Sequence, residues 1–245
     1  MKNMLRSSLL LLLIPLMSFA QAAPTKPTPV SPPWLMTSGN FMLMLFNLKA
    51  ADVQKLLPDG VTAKVNDSGL TTAGFEMYET NRTYGIPSYV TAFIFVEIEG
   101  PVSTSGIPGH WALWGKMNDP AALAAFQQQF GFPYELDPHL TVGITEGSHF
   151  GRVGVPGAEV LKIKISPLAE PGNSVEGAVD MVGKTAAGTL VRTEVPWFTT
   201  LQRGELVTFE IEPRGNPVLQ LVKEAQPVFV AASTKQTFSY SRPVR

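Results

Sequence analysis

Short apolar segments separated by glycine and proline dominate the hydrophobic pattern of this chain. The segments are rich in Val, Ile, Thr, Phe and Tyr, which is typical of β-strands bounded by turns. No long helical pattern alternates with them, so parallel strand–helix–strand units are not expected. The predicted strands span residues 41–46, 70–78, 89–99, 111–117, 140–145, 160–165, 190–193, 206–211, 228–231 and 237–240.

Three short helices are predicted between these strands, over residues 50–57, 121–130 and 217–224. Asp119 is expected to cap the second helix, because its carboxylate can accept hydrogen bonds from the free N–H groups of the first turn. Pro120 suits the first helical position, and Gly131 suits the left-handed residue that ends a helix. Asn216 is expected to cap the third helix in the same way.

The N-terminus has the pattern of a secretory leader. Lys2 and Arg6 precede an apolar run over residues 9–19, and Ala-Gln-Ala at 20–22 offers small residues for cleavage. A membrane-spanning helix needs about 20 apolar residues, so this run is too short to be an anchor. Residues 1–22 are therefore predicted to be a signal peptide, and the protein is predicted to be periplasmic or secreted.

The rest of the chain is predicted to be one domain. Residues 23–33 are rich in Pro, Thr and Ser, which predicts an extended tether. Trp34 follows at once and is expected to begin a single β domain over residues 34–245. The sequence shows no second linker and no internal repeat.

Composition excludes several classes of function. Lys and Arg number 19 against 20 for Asp and Glu, so no excess of basic residues is available to neutralise a nucleic acid. The chain has no Cys, which excludes thiol catalysis, iron–sulfur clusters and Cys-based zinc sites. We expect no nucleic-acid partner, no cofactor and no membrane insertion after cleavage of the leader.

Three segments together resemble the acetoacetate decarboxylase family. Residues 46–60 carry a strand, a helix and a Leu-Pro-Asp-Gly turn, residues 118–121 read Asn-Asp-Pro-Ala, and residues 131–133 read Gly-Phe-Pro. Their order and spacing are similar to those of the family. The resemblance implies a mainly β fold with a few short helices, in which an antiparallel cone-like β-barrel surrounds a buried pocket. It also implies a homo-oligomer.

The positions that carry the family's chemistry differ in this chain. The family has a Lys that forms a Schiff base, next to a second Lys that activates it. The corresponding residues here are Tyr134 and Glu135, and Tyr has no amine with which to form an imine. The family's Tyr-x-Glu strand corresponds to residues 89–91, which begin with Tyr89 and end with Thr91. Its Gly-Arg-Glu segment corresponds to residues 126–128, in which Gln127 stands in the place of the Arg. The resemblance therefore places ligand contacts at these five residues.

Glu76 is a further candidate, because the family uses a carboxylate in this region. Its side chain either points into the pocket or lies at an exposed strand edge. The leading hypothesis is a protein that binds a small organic molecule with a carbonyl or carboxylate group, without Schiff-base decarboxylation. A lyase, hydratase or isomerase would instead use Tyr134 and Glu135 for acid–base chemistry. A structural periplasmic oligomer is the third possibility.

A metal site is an alternative that the sequence disfavours. Glu135, Asp137 and His139 would share one face of a strand and could hold a divalent ion, joined by His110 or His149. Pro138 is expected to break that strand, however, and to leave the side chains in solvent. No metal is predicted.

Overall fold

The computed structural model describes residues 29–170 and 172–245. The predicted signal peptide and residues 23–28 of the predicted linker lie outside the described residues. The strands are β1 (Trp34–Ser38), β2 (Asn40–Lys49), β3 (Leu70–Glu79), β4 (Arg82–Tyr84), β5 (Val90–Val102), β6 (Pro108–Met117), β7 (Tyr134–Leu136), β8 (Thr141–Thr145), β9 (Ser148–Val155), β10 (Ala158–Pro167), β11 (Asn173–Lys184), β12 (Leu190–Ile211), β13 (Pro227–Ser233) and β14 (Gln236–Tyr240). The helices are α1 (Ala50–Gln54), α2 (Pro120–Phe130) and α3 (Pro217–Lys223).

The strands form one 14-stranded sheet that closes on itself. Strands β11, β6, β5, β3, β2, β13 and β12 pair in this order, and β12 pairs back with β11. We call this closed set the ring. Most pairs are antiparallel, but β6 pairs in parallel with both β11 and β7. The predicted mainly β fold with a few short helices is confirmed, and the sheet is mixed.

The ring has apolar side chains on both faces because its strands alternate between them. On β2, Met42, Met44 and Phe46 are fully buried in an outer core. Leu43 and Leu45, which alternate with them, lie along the cavity described below. The ring is therefore a wall with a packed core outside and a second core inside.

The second core is aromatic and is organised around α2. Phe126 of this helix is fully buried, and its ring centroid lies 5.3 Å from that of Trp34, 5.5 Å from Tyr89 and 4.9 Å from Tyr240. Such rings bury large apolar areas and prefer the tilted and edge-on contacts seen here. The helix thus joins the first and last strands of the sheet through one cluster.

The predicted helix ends are confirmed for α2 and α3. The Asp119 carboxylate accepts hydrogen bonds from the backbone N–H groups of residues 121 and 122, both at 3.0 Å. Gly131 ends α2 with φ 66°. Asn216 caps α3 by accepting from residues 218 and 219 at 3.0 and 3.1 Å. The first helix is shorter than predicted, because the N–H groups of Leu56 and Leu57 donate to the carbonyls three residues before them, in tighter turns than those of an α-helix.

Several strands were not predicted, namely β1, β4, β7, β9 and β11. Glycine lowers strand propensity, and both β9 and β11 contain it. In β11, Gly177 lies where a Cβ would be 2.8 Å from the Trp197 ring. In β9, a Cβ on Gly151 would be 2.2 Å from the Met77 sulfur. These glycines allow close packing that a local pattern does not reveal. The predicted strands 190–193 and 206–211 are the two ends of β12.

The end of the predicted linker lies against the domain. The backbone N–H of Val30 donates to the Gly85 carbonyl at 2.9 Å, and the Trp34 indole N–H donates to the Val30 carbonyl at 2.6 Å. Arg242 donates to the Pro32 carbonyl at 3.1 Å. Residues 30–33 are therefore not a free tether. No helix in residues 29–170 and 172–245 is long and apolar enough to cross a membrane.

Candidate functional site

A cavity of about 290 Å³ lies inside the ring. Its polar lining residues are Thr72, Glu76, Glu97, His110, Thr199 and Gln236. Aromatic side chains form much of the remaining surface, and we call them the aromatic wall: Phe41, Tyr78, Phe93, Phe95, Trp197, Phe238 and Tyr240. A concave, mainly apolar space with a few convergent polar groups is the usual form of a small-molecule site.

Strand register places Glu76 on the face of β3 that lines the cavity. A single row of paired residues crosses four strand pairs, from Leu43 through Glu76, Phe93 and Gly115 to Tyr134. Directly paired residues project to the same face of a sheet, so this row faces the inside of the ring. The position of Glu76 thus follows from the alternation of β3.

The Glu76 carboxyl has no hydrogen-bond partner among the described residues and is half-buried, facing the cavity. Burial raises the pKa of Glu76 from 4.5 to about 8, because an ionised carboxylate loses hydration in an apolar space. The free protein therefore holds Glu76 mainly as the neutral acid at pH 7. The sequence left two positions open for the Glu76 side chain, in the pocket or at an exposed strand edge. The structure places it at the pocket.

Tyr134 lies directly behind this part of the cavity. Its side chain is 2% exposed, with its ring centroid 5.7 Å from that of Phe93 and 6.1 Å from that of Phe126. Burial raises the pKa of Tyr134 well above 10, and neighbouring acidic groups, among them Glu76, raise it further. In the described part of the chain, the hydroxyl has no hydrogen-bond partner. Tyr134 is close to Glu76 but does not line the cavity.

Of the five tyrosines in the chain, all except Tyr84 belong to this region. Tyr78 and Tyr240 line the cavity, and burial raises the pKa of Tyr240, an effect that the Tyr78 hydroxyl partly offsets. Tyr89 lies deeper, 3.5 Å from the Tyr78 hydroxyl, and donates to the sulfur of Met36 at 3.3 Å. Tyr89, predicted as a ligand contact, therefore lies next to the cavity without lining it.

Three other predicted contacts lie away from the cavity. The Glu135 side chain is 72% exposed and forms an ion pair with Lys116, so it lies away from the cavity, where the resemblance had placed a ligand contact. Alternation explains this, because Tyr134 points inward and the next residue points outward. Gln127 is exposed and donates to the Tyr134 carbonyl at 2.8 Å. Thr91 donates to the Lys116 carbonyl at 3.0 Å. The side chains of Gln127 and Thr91 therefore hydrogen-bond to backbone carbonyls and do not line the cavity.

The alternative metal ligands are also separated. The Asp137 carboxylate is buried and accepts backbone N–H groups of His139 and Gly154, at 2.9 and 2.6 Å. It therefore joins the residues before β8 to the end of β9, instead of facing solvent as expected. His149 is bonded to Asn40 at 2.6 Å. Across residues 29–170 and 172–245, no group of three or more possible ligands could hold a metal ion.

A second polar region of the cavity was missed from the sequence. Glu97 on β5 pairs with His110 on β6, and Thr72 on β3 lines the cavity with them. Burial raises the pKa of Glu97, an effect that the exposed Lys64 partly offsets. His110 stacks on Phe95 with centroids 4.0 Å apart, and burial lowers its pKa to about 3. The available signal was the alternation of 93, 95 and 97 on one face of β5.

A substitution at Gly115 is expected to displace Tyr134. A Cβ at Gly115 would lie 2.2 Å from Cδ1 and 2.5 Å from Cε1 of the Tyr134 ring, which packed neighbours hold in place. Gly115→Ala should lower the free energy of unfolding by about 1–3 kcal/mol, the usual effect of overpacking a core. Urea unfolding would measure this. In the Tyr134→Leu background the same substitution should have a much smaller effect, and equal effects in the two backgrounds would contradict the contact.

Comparisons with known proteins agree with this architecture. No family model matches the sequence, and no curated protein matches it. The structure is similar to that of acetoacetate decarboxylase from Legionella pneumophila, with a TM-score of 0.70, 16% identity and 93% of each chain covered. An acetoacetate decarboxylase-like enzyme from Sphingomonas wittichii RW1 gives a TM-score of 0.59 at 13% identity, covering 88% of this chain and 93% of its own.

A third similar structure is the enduracididine biosynthesis enzyme MppR complexed with pyruvate. Its TM-score is 0.56 at 16% identity, covering 87% of this chain and 88% of its own. At these identities the likeness establishes a shared fold. The chain therefore has the acetoacetate decarboxylase-like fold.

Proposed function

We propose that this chain, on its acetoacetate decarboxylase-like fold, binds a small organic molecule inside the ring without forming a Schiff base. The single observation that carries the proposal is Glu76, a carboxyl without a protein partner in the wall of an otherwise mainly apolar cavity. A buried polar group without a partner is costly, so its retention is best explained by a ligand that completes it.

The lining supports chemistry other than imine formation. A Schiff base requires an amine, and no lysine is found among the described residues that line the cavity. Lys116, the lysine nearest along the chain to the Gly-Phe-Pro segment, has its amine in the ion pair with Glu135. The residue that follows the Gly-Phe-Pro segment is Tyr134. It belongs to the same row of paired residues as Glu76, and its side chain is a phenol.

A carbonyl is accommodated by the protonated form of Glu76. The neutral acid can donate its O–H to a carbonyl oxygen, which an ionised carboxylate cannot do. The hydroxyls of Tyr78 and Tyr240 lie in the same wall and add further hydrogen-bonding groups. A ligand carboxylate is less well accommodated, because no Arg or Lys lines the described cavity to balance its charge.

The other two hypotheses have less support. Acid–base catalysis by Tyr134 with Glu135 would require both groups at one ligand, and they lie on opposite faces of β7. A purely structural role gives no reason for an unpartnered acid in a cavity. Export through residues 1–22 and assembly into a homo-oligomer remain part of the proposal, and the ligand would then be met in the periplasm or outside the cell.

Absence of Schiff-base chemistry is tested by reductive trapping with pyruvate, the ligand present in the MppR complex. After incubation with pyruvate and borohydride, the intact mass should be unchanged, because none of the described residues that line the cavity carries an amine. A stable adduct mapped to a lysine would overturn this part of the proposal.

Binding is tested with cyclohexanone, a small ketone, by isothermal titration calorimetry. Leu43 pairs with Glu76 across β2 and β3 and lines the cavity, so Leu43→Trp should fill the space and abolish binding. Leu35→Trp is the matched control, because Leu35 is 52% exposed on β1 and lies away from the cavity. Equal binding by both variants would place the ketone elsewhere.

A further inference from the structure

We infer that the preferred ligand of the cavity is a small organic amine, bound as its cation between Glu76 and the aromatic wall. The inference rests on the proposed function and narrows the ligand class of the same site. It depends on the complete set of lining groups, on the unpartnered oxygens of Glu76 and Tyr134, and on the rings that surround them.

The charged groups of the lining are all of one kind. Glu76 and Glu97 each bring a carboxyl, and no described lining residue brings an ammonium or guanidinium group. His110, the one imidazole of the lining, is held in its neutral form because burial lowers its pKa to about 3. A ligand anion would meet only groups that are neutral or negative. A ligand cation would meet a carboxylate.

Two side chains at or next to the expected position of the cation carry oxygen atoms without a partner among the described residues: Glu76 in the lining and Tyr134 behind it. The Glu76 carboxyl has no partner, and the hydroxyl of Tyr134, which is 2% exposed, also has none in the described chain. Tyr240 also lines the cavity, and the charge of Glu76 acts on the phenols of both Tyr134 and Tyr240. An alkylammonium has three N–H donors and no acceptor, so it suits a region rich in oxygen acceptors.

The rings next to Glu76 favour a cation as well. Phe93 is the direct cross-strand neighbour of Glu76, and the ring of Tyr78 lies 6.4 Å from that of Phe93 and 5.1 Å from that of Phe238. The negative face of an aromatic ring attracts a cation within about 6 Å, most strongly where water is excluded. Burial of an ammonium is otherwise unfavourable, and a carboxylate together with aromatic faces offsets it.

The cavity also has a second acidic position. Thr72, which contacts Glu97, is four residues from Glu76 on β3, a separation of about 13 Å at the usual rise of a strand. Lys64 is exposed and partly balances the charge of Glu97. Glu76 has no such cation among the groups that act on it, so we place the ligand nitrogen at Glu76.

Three probes with one carbon skeleton test the inference by titration calorimetry at about pH 8, where Glu76 is partly ionised. They are cyclohexylmethylamine, cyclohexylmethanol and cyclohexanecarboxylate. We expect the amine to bind at least about tenfold more tightly than the alcohol, and the carboxylate to bind most weakly. In Glu76→Gln the amine should lose its advantage over the alcohol, whereas Glu79→Gln, on the other face of β3, should retain it.

The proton that Glu76 should release when the amine binds gives a second test of the inference. At about pH 7 the free protein holds Glu76 protonated, so binding of the ammonium should release close to one proton to the buffer. Titrations in two buffers with different ionisation enthalpies detect this release, which Glu76→Gln should abolish.

The outcomes separate this inference from the proposed function. If the alcohol binds in the cavity but the amine binds no more tightly, the inference is overturned and the proposed function stands. An amine advantage that survives in Glu76→Gln would also overturn the inference. If cyclohexanone and all three cyclohexyl probes fail to bind, the proposed function is wrong, and the inference falls with it.

Discussion

Glu76→Gln is expected to make the protein more stable, by about 3–5 kcal/mol at pH 8. The physical reason is the burial of Glu76, which raises the pKa of its carboxyl from 4.5 to about 8 in the folded protein. Each pKa unit corresponds to about 1.4 kcal/mol, so this rise corresponds to about 5 kcal/mol at most. A glutamine of the same shape carries no such dependence on pH.

The sign follows from which state loses its proton first. Below pH 4.5 the carboxyl is protonated in the folded and the unfolded chain, so parent and variant should differ little. Between pH 4.5 and about 8 the unfolded chain releases the proton and the folded protein retains it, which favours unfolding increasingly as the pH rises. Above about 8 both states are ionised and the difference becomes constant.

Urea unfolding of both proteins across this pH range measures the difference directly. The two proteins share all their other titrating groups. The difference between their curves of unfolding free energy against pH is therefore due to Glu76. Glu97→Gln is the control, because Glu97 lies in the same cavity but has Thr72 and Lys64 to stabilise its ionised form. It should give a smaller gain. Parallel curves for parent and Glu76→Gln would show that the carboxyl is hydrated in the folded protein.

The expected stabilisation bears on function. Residues that serve packing alone lower stability when they are replaced, whereas a residue kept for a ligand often lowers the stability of the unliganded protein. A gain of stability in Glu76→Gln, together with the loss of the amine's advantage over the alcohol, would therefore identify Glu76 as a binding group. Stability and affinity are measured independently, so either result can fail without the other.

The sequence was sufficient for most of the fold because its strongest signals are local. Asp119 and Asn216 were recognised as caps, since a cap depends only on the next few residues. The long strands β2, β3 and β5 were found because their apolar runs are continuous. Glycine-containing β9 and β11 were missed, because the reason for each glycine lies in a neighbour that is distant along the chain.

The site was predicted less well, because alternation and register decide which side chains meet. The Gly-Phe-Pro segment correctly marked a position next to the cavity, where Tyr134 points inward. Glu135 and Gln127 follow or precede it by a few residues, yet both are exposed. Glu97 and His110 come from two strands whose register a single sequence does not supply. Residues next to a motif need not share its side of the sheet.

Gly131, the first residue of the Gly-Phe-Pro segment, lies in close contact with β11. This residue ends α2 with φ 66°, and a Cβ added to it would lie 2.3 Å from the carbonyl oxygen of Lys184 and 2.7 Å from the nitrogen of Thr185. Gly183 faces it in the same way, because a Cβ there would lie 2.0 Å from the Phe130 carbonyl oxygen. The end of the helix and β11 thus approach through two glycines.

Gly131→Ala should lower the free energy of unfolding by about 2–5 kcal/mol. A left-handed conformation costs a non-glycine residue about 1–2 kcal/mol, and a clash with backbone atoms adds about 1–3 kcal/mol because they cannot rotate away. Urea unfolding measures the total. Gly188→Ala is the matched control: its φ is 80°, but the nearest atom, Lys184 Cε, is 4.0 Å from the added Cβ.

The comparison between these two variants separates the cost of the left-handed conformation from the cost of the clash with β11. Gly188→Ala should lose only the conformational part, about 1–2 kcal/mol. Gly131→Ala should lose more and should also displace α2, which holds Phe126 against Trp34 and Tyr240. A change in near-ultraviolet circular dichroism would report that displacement. If both variants lose the same stability, the glycine of the Gly-Phe-Pro segment serves the turn alone, and the close approach to β11 does not position the helix.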